Sequence, residues 1–187
     1  MRVVLASKSP RRKELLRELF SDFEIITMEV DESLPEAIHP REGVGLLAIK
    51  KGEAVAKSLG ENTLVISSDT LVELGGVALG KPADEDEAIK MLTSLSGKAH
   101  NVHTGVAVHY NGKLFSGVAT TAVYFREMTI EEIAEYVASG DPMDKAGAYG
   151  IQSGGGKFVE KIDGDYDTVV GLSVALTKKL VDEAKND

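Results

Sequence analysis

Cysteine is missing from all 187 residues, so disulfides and thiolate chemistry are excluded. Also missing is any run of about 18 consecutive apolar residues, the length a membrane-spanning helix needs. The first residues form no signal-peptide pattern, because Lys8, Arg11 and Arg12 interrupt the early apolar segment. Positive charge is scarce overall. The formal net charge is −9, which argues against a general nucleic-acid binder. The four histidines, His39, His100, His103 and His109, lack metal-ligand spacing and read as structural or surface residues. No Ser/His/Asp arrangement stands out. These absences point to a cytoplasmic protein. With 43% hydrophobic residues there is enough apolar material for a proper core, in one large domain or one domain of two lobes. No internal repeat or linker is visible.

The positive charge that does exist is concentrated. Residues 1–20 carry six basic and two acidic side chains, a local +4 that leaves −13 for the remainder. A positive pocket on an acidic protein suits a small anion better than a polymer. Within that span Val3-Val4-Leu5-Ala6 is a β-type apolar run, followed by Ser7-Lys8-Ser9-Pro10-Arg11-Arg12. Ser9 is a good N-cap, and Pro10 suits the first helical position because its missing N–H would be unpaired anyway. Leu15, Leu16, Leu19 and Phe20 give the helix an apolar stripe. Its N-terminus gathers free N–H groups, two hydroxyls and two guanidiniums, a site for an anion and most directly a phosphate chain. The other reading is a solvated basic first turn, although cations are unfavourable at that end of a helix.

The second informative stretch is Thr63 to Val72. Leu64-Val65-Ile66 is a continuous apolar run, the mark of a strand covered on both faces. It leads into Ser68-Asp69-Thr70, and ligands of α/β sheets gather beyond the carboxyl ends of such strands. An ionised Asp69 there can coordinate a divalent metal or take a proton from water. A capping or turn aspartate is the alternative, but Leu71 and Val72 continue the strand pattern. Gly75-Gly76 reads as a two-residue hairpin turn. The return strand Val77-Ala78-Leu79 then brings Lys81, in Gly80-Lys81-Pro82, toward the start of the hairpin.

Elsewhere the pattern predicts a strand over 23–28 and helices over 43–59 and 84–95, the latter with a capping-box pair Asp84 and Glu87. Strands over 100–109 and 113–125 join at Asn111-Gly112, a strong hairpin signal. A Thr129-capped helix with Glu132 at its third position ends near Ser139-Gly140. A strand over 158–162 and a closing helix over 168–184 complete the chain. Lys51 falls inside the apolar stripe of Val44, Leu47, Ala48, Ala54 and Val55, so it either snorkels to the surface or contacts a ligand. Lys50 lies on the polar side. Glu32, in a polar loop with Asp31, Ser33 and Pro35, reads as surface decoration, or as a metal ligand if the loop folds over the first helix. Residues 141–156 form a long segment of the kind that is usually functional or disordered, and Tyr149 and Ile151 argue against disorder. Gln152 offers the donor and acceptor that reading a base edge requires. Gly154-Gly155-Gly156-Lys157 lacks the spacing of a Walker loop.

Taken in order, Ser7-x-Ser9-Pro10-Arg11-Arg12, Ser68-Asp69-Thr70, Gly80-Lys81-Pro82, Ser96-Gly97-Lys98, Asp144-Lys145-Ala146-Gly147-Ala148-Tyr149-Gly150-Ile151-Gln152 and Val169-Val170-Gly171-Leu172 resemble the Maf family across nearly the whole chain. Each motif alone is weak; the ordered set is specific. The resemblance implies a nucleoside triphosphate pyrophosphatase of the dTTP/UTP branch. It implies an elongated α/β fold: a mixed sheet with flanking helices in two lobes around a central cleft, similar to inosine triphosphate pyrophosphatases. Residues 1–187 would then be a single Maf-like domain without a separable linker. By the same resemblance Asp69 matches the proton acceptor, and Arg11, Thr70 and Gln152 match positions that set base specificity. Ser7, Arg12, Lys51 and Lys81 match phosphate contacts, and Glu32 matches an acidic position in or near a metal site shared with Asp69. The implied cofactor is Mg²⁺ or Mn²⁺. The implied partner is a small-molecule nucleoside triphosphate, with no nucleic acid and no membrane, and a homodimer is the one protein assembly held open. Gly52, Thr168 and Ser173 stand where Ala, Asn and Pro are expected. The rival readings are the same chemistry on 7-methyl-GTP or another non-pyrimidine nucleotide, a non-enzymatic nucleotide-binding regulator of cell division, and a nucleic-acid-binding module.

Overall fold

The computed structural model describes residues 1–187. The strands are β1 (Arg2–Leu5), β2 (Glu24–Ile25), β3 (Thr63–Leu74), β4 (Val77–Leu79), β5 (Ala99–Tyr110), β6 (Lys113–Phe125) and β7 (Val159–Asp163). The helices are α1 (Pro10–Leu16), α2 (Pro40–Ala56), α3 (Glu85–Leu95), α4 (Ile130–Ala138), α5 (Tyr166–Val170) and α6 (Val174–Asn186). The strands form one seven-stranded mixed sheet in the order β2-β1-β3-β5-β6-β7, with β4 on β3. β1 is parallel to β2 and β3, whereas the β3–β4 and β6–β7 pairs are antiparallel. This is the mixed α/β sheet with flanking helices that the sequence implies. The chain divides into two compact units, one of Met1–Thr70, Thr104–Ala119 and Gly171–Asp187, the other of Leu71–His103 and Thr120–Val170.

In the first unit the alternation of a strand sorts side chains to two faces. Val3, Leu5, Leu64 and Ile66 join Leu16 of α1 and Leu180 and Val181 of α6 in one cluster. Val4, Ala6 and Val65 point the other way, onto Val55 of α2. A strand covered on both faces must be apolar at consecutive positions, which is why Leu64-Val65-Ile66 carries no polar residue. The α1 start is as expected: Ser9 caps by accepting from the Arg12 N–H, and Pro10 takes the first turn. The α2 helix begins at Pro40, three residues before the apolar periodicity, because the side chain of His39 supplies an N-cap.

In the second unit, α3 and α4 cover a core of Val72, Leu92, Leu95, Val102, Phe125, Tyr136 and Phe158. Thr129 and Glu132 form the full capping box of α4. Asp84 caps α3 by accepting from the Glu87 N–H, while the Glu87 carboxylate reaches back to the Ala83 N–H. His100 and His103 are buried in this unit, His100 edge-on to Phe125 and Tyr149.

Three expectations change. The strand over 23–28 pairs only through Glu24 and Ile25. Residues 141–156 hold three short 3₁₀ turns (Asp141–Asp144, Ala146–Ala148 and Gly154–Phe158, the last reaching β7) in place of an irregular loop. The closing helix is two helices, α5 and α6, interrupted at Gly171 with φ 135, a backbone conformation that favours glycine.

Candidate active site

The register places the polar end of β3 at the site. Leu5 pairs with Ile66, and the Ala6 N–H donates to the Ile66 carbonyl at 2.8 Å. β1 ends there while β3 runs on, so Ser67 to Thr70 lie beyond the carboxyl end of β1, where ligands of parallel sheets bind. Alternation then divides these four residues. Ser67 and Asp69 address α2: the Ser67 hydroxyl donates to the Ala48 carbonyl at 2.7 Å, and Asp69 Oδ1 accepts from Lys51 Nζ at 2.5 Å. Ser68 and Thr70 address the other face, where the Ser68 hydroxyl donates to the Gly171 carbonyl at 2.9 Å.

Arg12 crosses to that same carbonyl. Its Nε donates to Gly171 O at 2.8 Å, Nη1 to Ser7 Oγ at 3.4 Å and Nη2 to Thr70 Oγ1 at 3.3 Å. A guanidinium has five N–H donors, so two remain for a ligand. Burial pushes the Arg12 guanidinium below its ordinary value; the Asp69 and Glu32 charges pull the other way, and Arg11 adds to the lowering. Ser7 is buried, and its hydroxyl also accepts from the Ser9 N–H at 3.2 Å.

On the α2 face Lys51 Nζ lies 2.5 Å from Asp69 Oδ1 and 3.0 Å from Glu32 Oε1. Two carboxylates thus converge on one cationic point. Glu32 is held over α2 by Lys50, whose ammonium donates to the carbonyls of Asp31 at 3.4 Å and Ser33 at 3.0 Å. The Ser33 N–H and hydroxyl in turn bond the Asp31 carboxylate. Glu32 therefore lies against Lys51 and Asp69, with its side chain largely exposed. No group of three or more His, Cys, Asp or Glu side chains gathers to hold a metal. Two carboxylates fit Mg²⁺ or Mn²⁺ only as such ions are bound in phosphate sites, with further oxygens from the ligand.

Ser7, Arg12, Glu32, Lys51, Asp69 and Thr70 are therefore brought together within the first unit. Arg11 is half-buried beside Arg12 and close enough to act on its charge. The Thr70 hydroxyl is already engaged, 3.0 Å from Thr104 Oγ1 as well as accepting from Arg12. Lys81 and Gln152 belong to the second unit, are exposed, and make no side-chain hydrogen bond or ion pair. Sequence reading missed three contributors. Lys50 acts on backbone carbonyls, and Ser68 and Gly171 meet across 103 residues. One signal was available: consecutive serines in a buried strand each require a hydrogen-bond partner.

The arrangement is that of an α/β protein with cations facing carboxylates beyond the end of a parallel strand pair. The chain belongs to the Maf-like protein family, whose profile matches residues 2–184. A dTTP/UTP pyrophosphatase of Thermococcus kodakarensis is 46% identical over 178 residues, spanning 95% of this chain and 94% of that protein. A dTTP/UTP pyrophosphatase of Bacillus cereus is 47% identical over 184 residues, spanning 98% and 94%. Among solved structures, the Staphylococcus aureus Ham1 protein aligns with a TM-score of 0.49 and 19% identity, over 67% of this chain and 72% of that one. No helix is long and apolar enough to cross a membrane.

Proposed function

We propose that this protein hydrolyses dTTP and UTP between the α and β phosphorus, releasing the nucleoside monophosphate and pyrophosphate in the cytoplasm. The near-full-length similarity to dTTP/UTP pyrophosphatases supports the reaction. The observation that carries it to these residues is the convergence of Asp69, Glu32 and Lys51 beside Arg12. Phosphoryl transfer needs positioned water and neutralised charge more than covalent help from the protein. Asp69 takes the proton of the attacking water as its oxygen bonds to the α phosphorus and the bond to the bridging oxygen breaks. Ser7, the two remaining donors of Arg12, Lys51 and Lys81 hold the phosphates. Lys51 exchanges its carboxylate partners for phosphate oxygens as the ligand enters. Arg11, Thr70 and Gln152 read the pyrimidine. Asp69 and Glu32 would hold Mg²⁺ or Mn²⁺, which would supply Lewis-acid neutralisation of the phosphate oxygens.

Pyrophosphate release from a panel of dTTP, UTP, CTP and 7-methyl-GTP with Mg²⁺ and with Mn²⁺ tests the reading. Fastest release from dTTP and UTP is expected. Preference for 7-methyl-GTP would move the assignment to another base, and intact triphosphate throughout would leave a binding protein. Asp69→Asn should lose about 10²–10⁴-fold in kcat, the usual contribution of general acid–base catalysis, with nucleotide binding still measurable. Near-normal turnover in that variant refutes the role of Asp69.

A further inference from the structure

The proposed reaction uses one residue of the 141–156 segment, Gln152, and leaves the rest of it unexplained. Gln152 is exposed and its amide makes no hydrogen bond within the protein, so its direction depends on its neighbours. Ile151 packs on the core of the second unit. Ser153 points back to the start of the segment, where its hydroxyl donates to Asp141 Oδ2 at 2.6 Å. The Asp141 carboxylate is the hub of a closed network. Oδ2 also accepts from the Tyr136 hydroxyl at 2.5 Å, and Oδ1 accepts from Lys145 Nζ at 2.9 Å. Tyr136, buried in α4, anchors the hub to the core, and its oxygen accepts from the Gly150 N–H at 3.0 Å. Lys145 adds the Asp141 carbonyl at 2.7 Å and Asp144 at 3.0 Å.

The glycines that flank Gln152 belong to the same construction. A Cβ at position 150 would sit 2.5 Å from Ser153 Oγ and 2.6 Å from Lys145 Cε. A Cβ at position 154 would sit 2.8 Å from the Tyr136 ring. Both positions must be bare for the segment to close on Tyr136 and Asp141. The protonation states suit this arrangement. Burial, then the hydrogen bond to Asp141, pushes the Tyr136 phenol above its ordinary value, so it stays a donor. Burial works against the Asp141 charge, but hydrogen bonds from Ser153, Tyr136 and Lys145 outweigh it and hold the carboxyl below its ordinary value.

We propose that Asp141 is a positioning residue for base discrimination: anchored by Tyr136 and Lys145, it fixes Ser153 and thereby the adjoining Gln152. The inference rests on the base-reading role given to Gln152 above. CTP is the useful competitor, because cytosine is the size of uracil but presents a different pairing edge. In Asp141→Asn the amide turns a donor toward either Lys145 or the two hydroxyls, so the hub cannot satisfy all three partners.

The test is kcat/KM for UTP and for CTP in the wild type, Q152A, D141N, S153A and the double variant D141N/Q152A. Q152A is expected to lower the UTP:CTP ratio about five- to tenfold, the size of one hydrogen bond. D141N and S153A are expected to lower it by a similar factor through KM for UTP, with kcat nearly kept. The double variant is expected to match Q152A, since both changes act on one contact. S153A alters an exposed residue and keeps the test open if D141N folds poorly. An unchanged ratio in D141N and S153A alongside a lowered ratio in Q152A overturns the positioning role alone. An unchanged ratio in Q152A overturns the base-reading role and this inference with it. Additive losses in the double variant also count against it, because two independent structural defects would add.

Discussion

Gly52 offers a sharp test of how α2 is held against β3. The family resemblance leads one to expect alanine there, and in a helix alanine is favoured over glycine by about 0.8–1 kcal/mol. The structure predicts the opposite outcome for Gly52→Ala. A Cβ at this buried position would overlap Ser67 Oγ and approach His109 Nδ1 to 2.8 Å. Ser67 is fully buried and cannot yield without losing its hydrogen bond to the Ala48 carbonyl. Overpacking a core typically costs about 1–3 kcal/mol, and a lost hydrogen bond about 1 kcal/mol more. Set against the helix gain, the net is a destabilisation of about 1–3 kcal/mol. For a chain of this size each kcal/mol lowers Tm by about 2–4 °C, so a fall of about 2–12 °C is expected by calorimetry. Adding Ser67→Ala should recover about 1 kcal/mol, because it removes the nearest clashing atom. Lys51 adjoins Gly52 and bonds Asp69, so the same variant should raise KM for the triphosphate. A Tm equal to or above the wild type would refute the packing argument and leave only helix propensity.

Further outcomes follow from single groups. Lys81→Ala should weaken triphosphate binding far more than monophosphate binding, measured by calorimetric titration; equal losses would remove Lys81 from the phosphate contacts. Burial lowers the His100 imidazole from 6.5 to about 4. The unfolded chain therefore binds a proton that the folded one refuses, and stability is lost as pH falls from about 6.5 toward 4. The full shift corresponds to roughly 3 kcal/mol at most. Urea midpoints at pH 7 and pH 5 should show the loss, and His100→Gln should flatten it; an identical slope in the variant would assign it to other groups.

Much of the fold was legible because its signals are local. Ser9-Pro10, Asn111-Gly112 and the Thr129–Glu132 box act within four residues, and each forms as read. The break between α5 and α6 was not legible. Apolar periodicity runs through it, and the carbonyl exposed at Gly171 is satisfied by Arg12 and Ser68, both distant in sequence. The site divides in the same way. Asp69 and Lys51 stood out as charged residues in apolar patterns, and the structure joins them directly. Lys50 looked like an ordinary surface lysine because its acceptors are backbone carbonyls of a loop 17 and 19 residues away, which side-chain chemistry does not reveal.

The bond from Arg12 to the Gly171 carbonyl spans 159 positions of a 187-residue chain. On a translating ribosome its donor is made 159 residues before its acceptor. A nascent polypeptide therefore carries Arg12 long before the Gly171 carbonyl exists to accept from it, and its full set of hydrogen bonds must await synthesis of that residue. A premature stop codon upstream of Gly171 would strand both Arg12 and Ser68 without the oxygen they share, so shortened products should be inert as well as unstable.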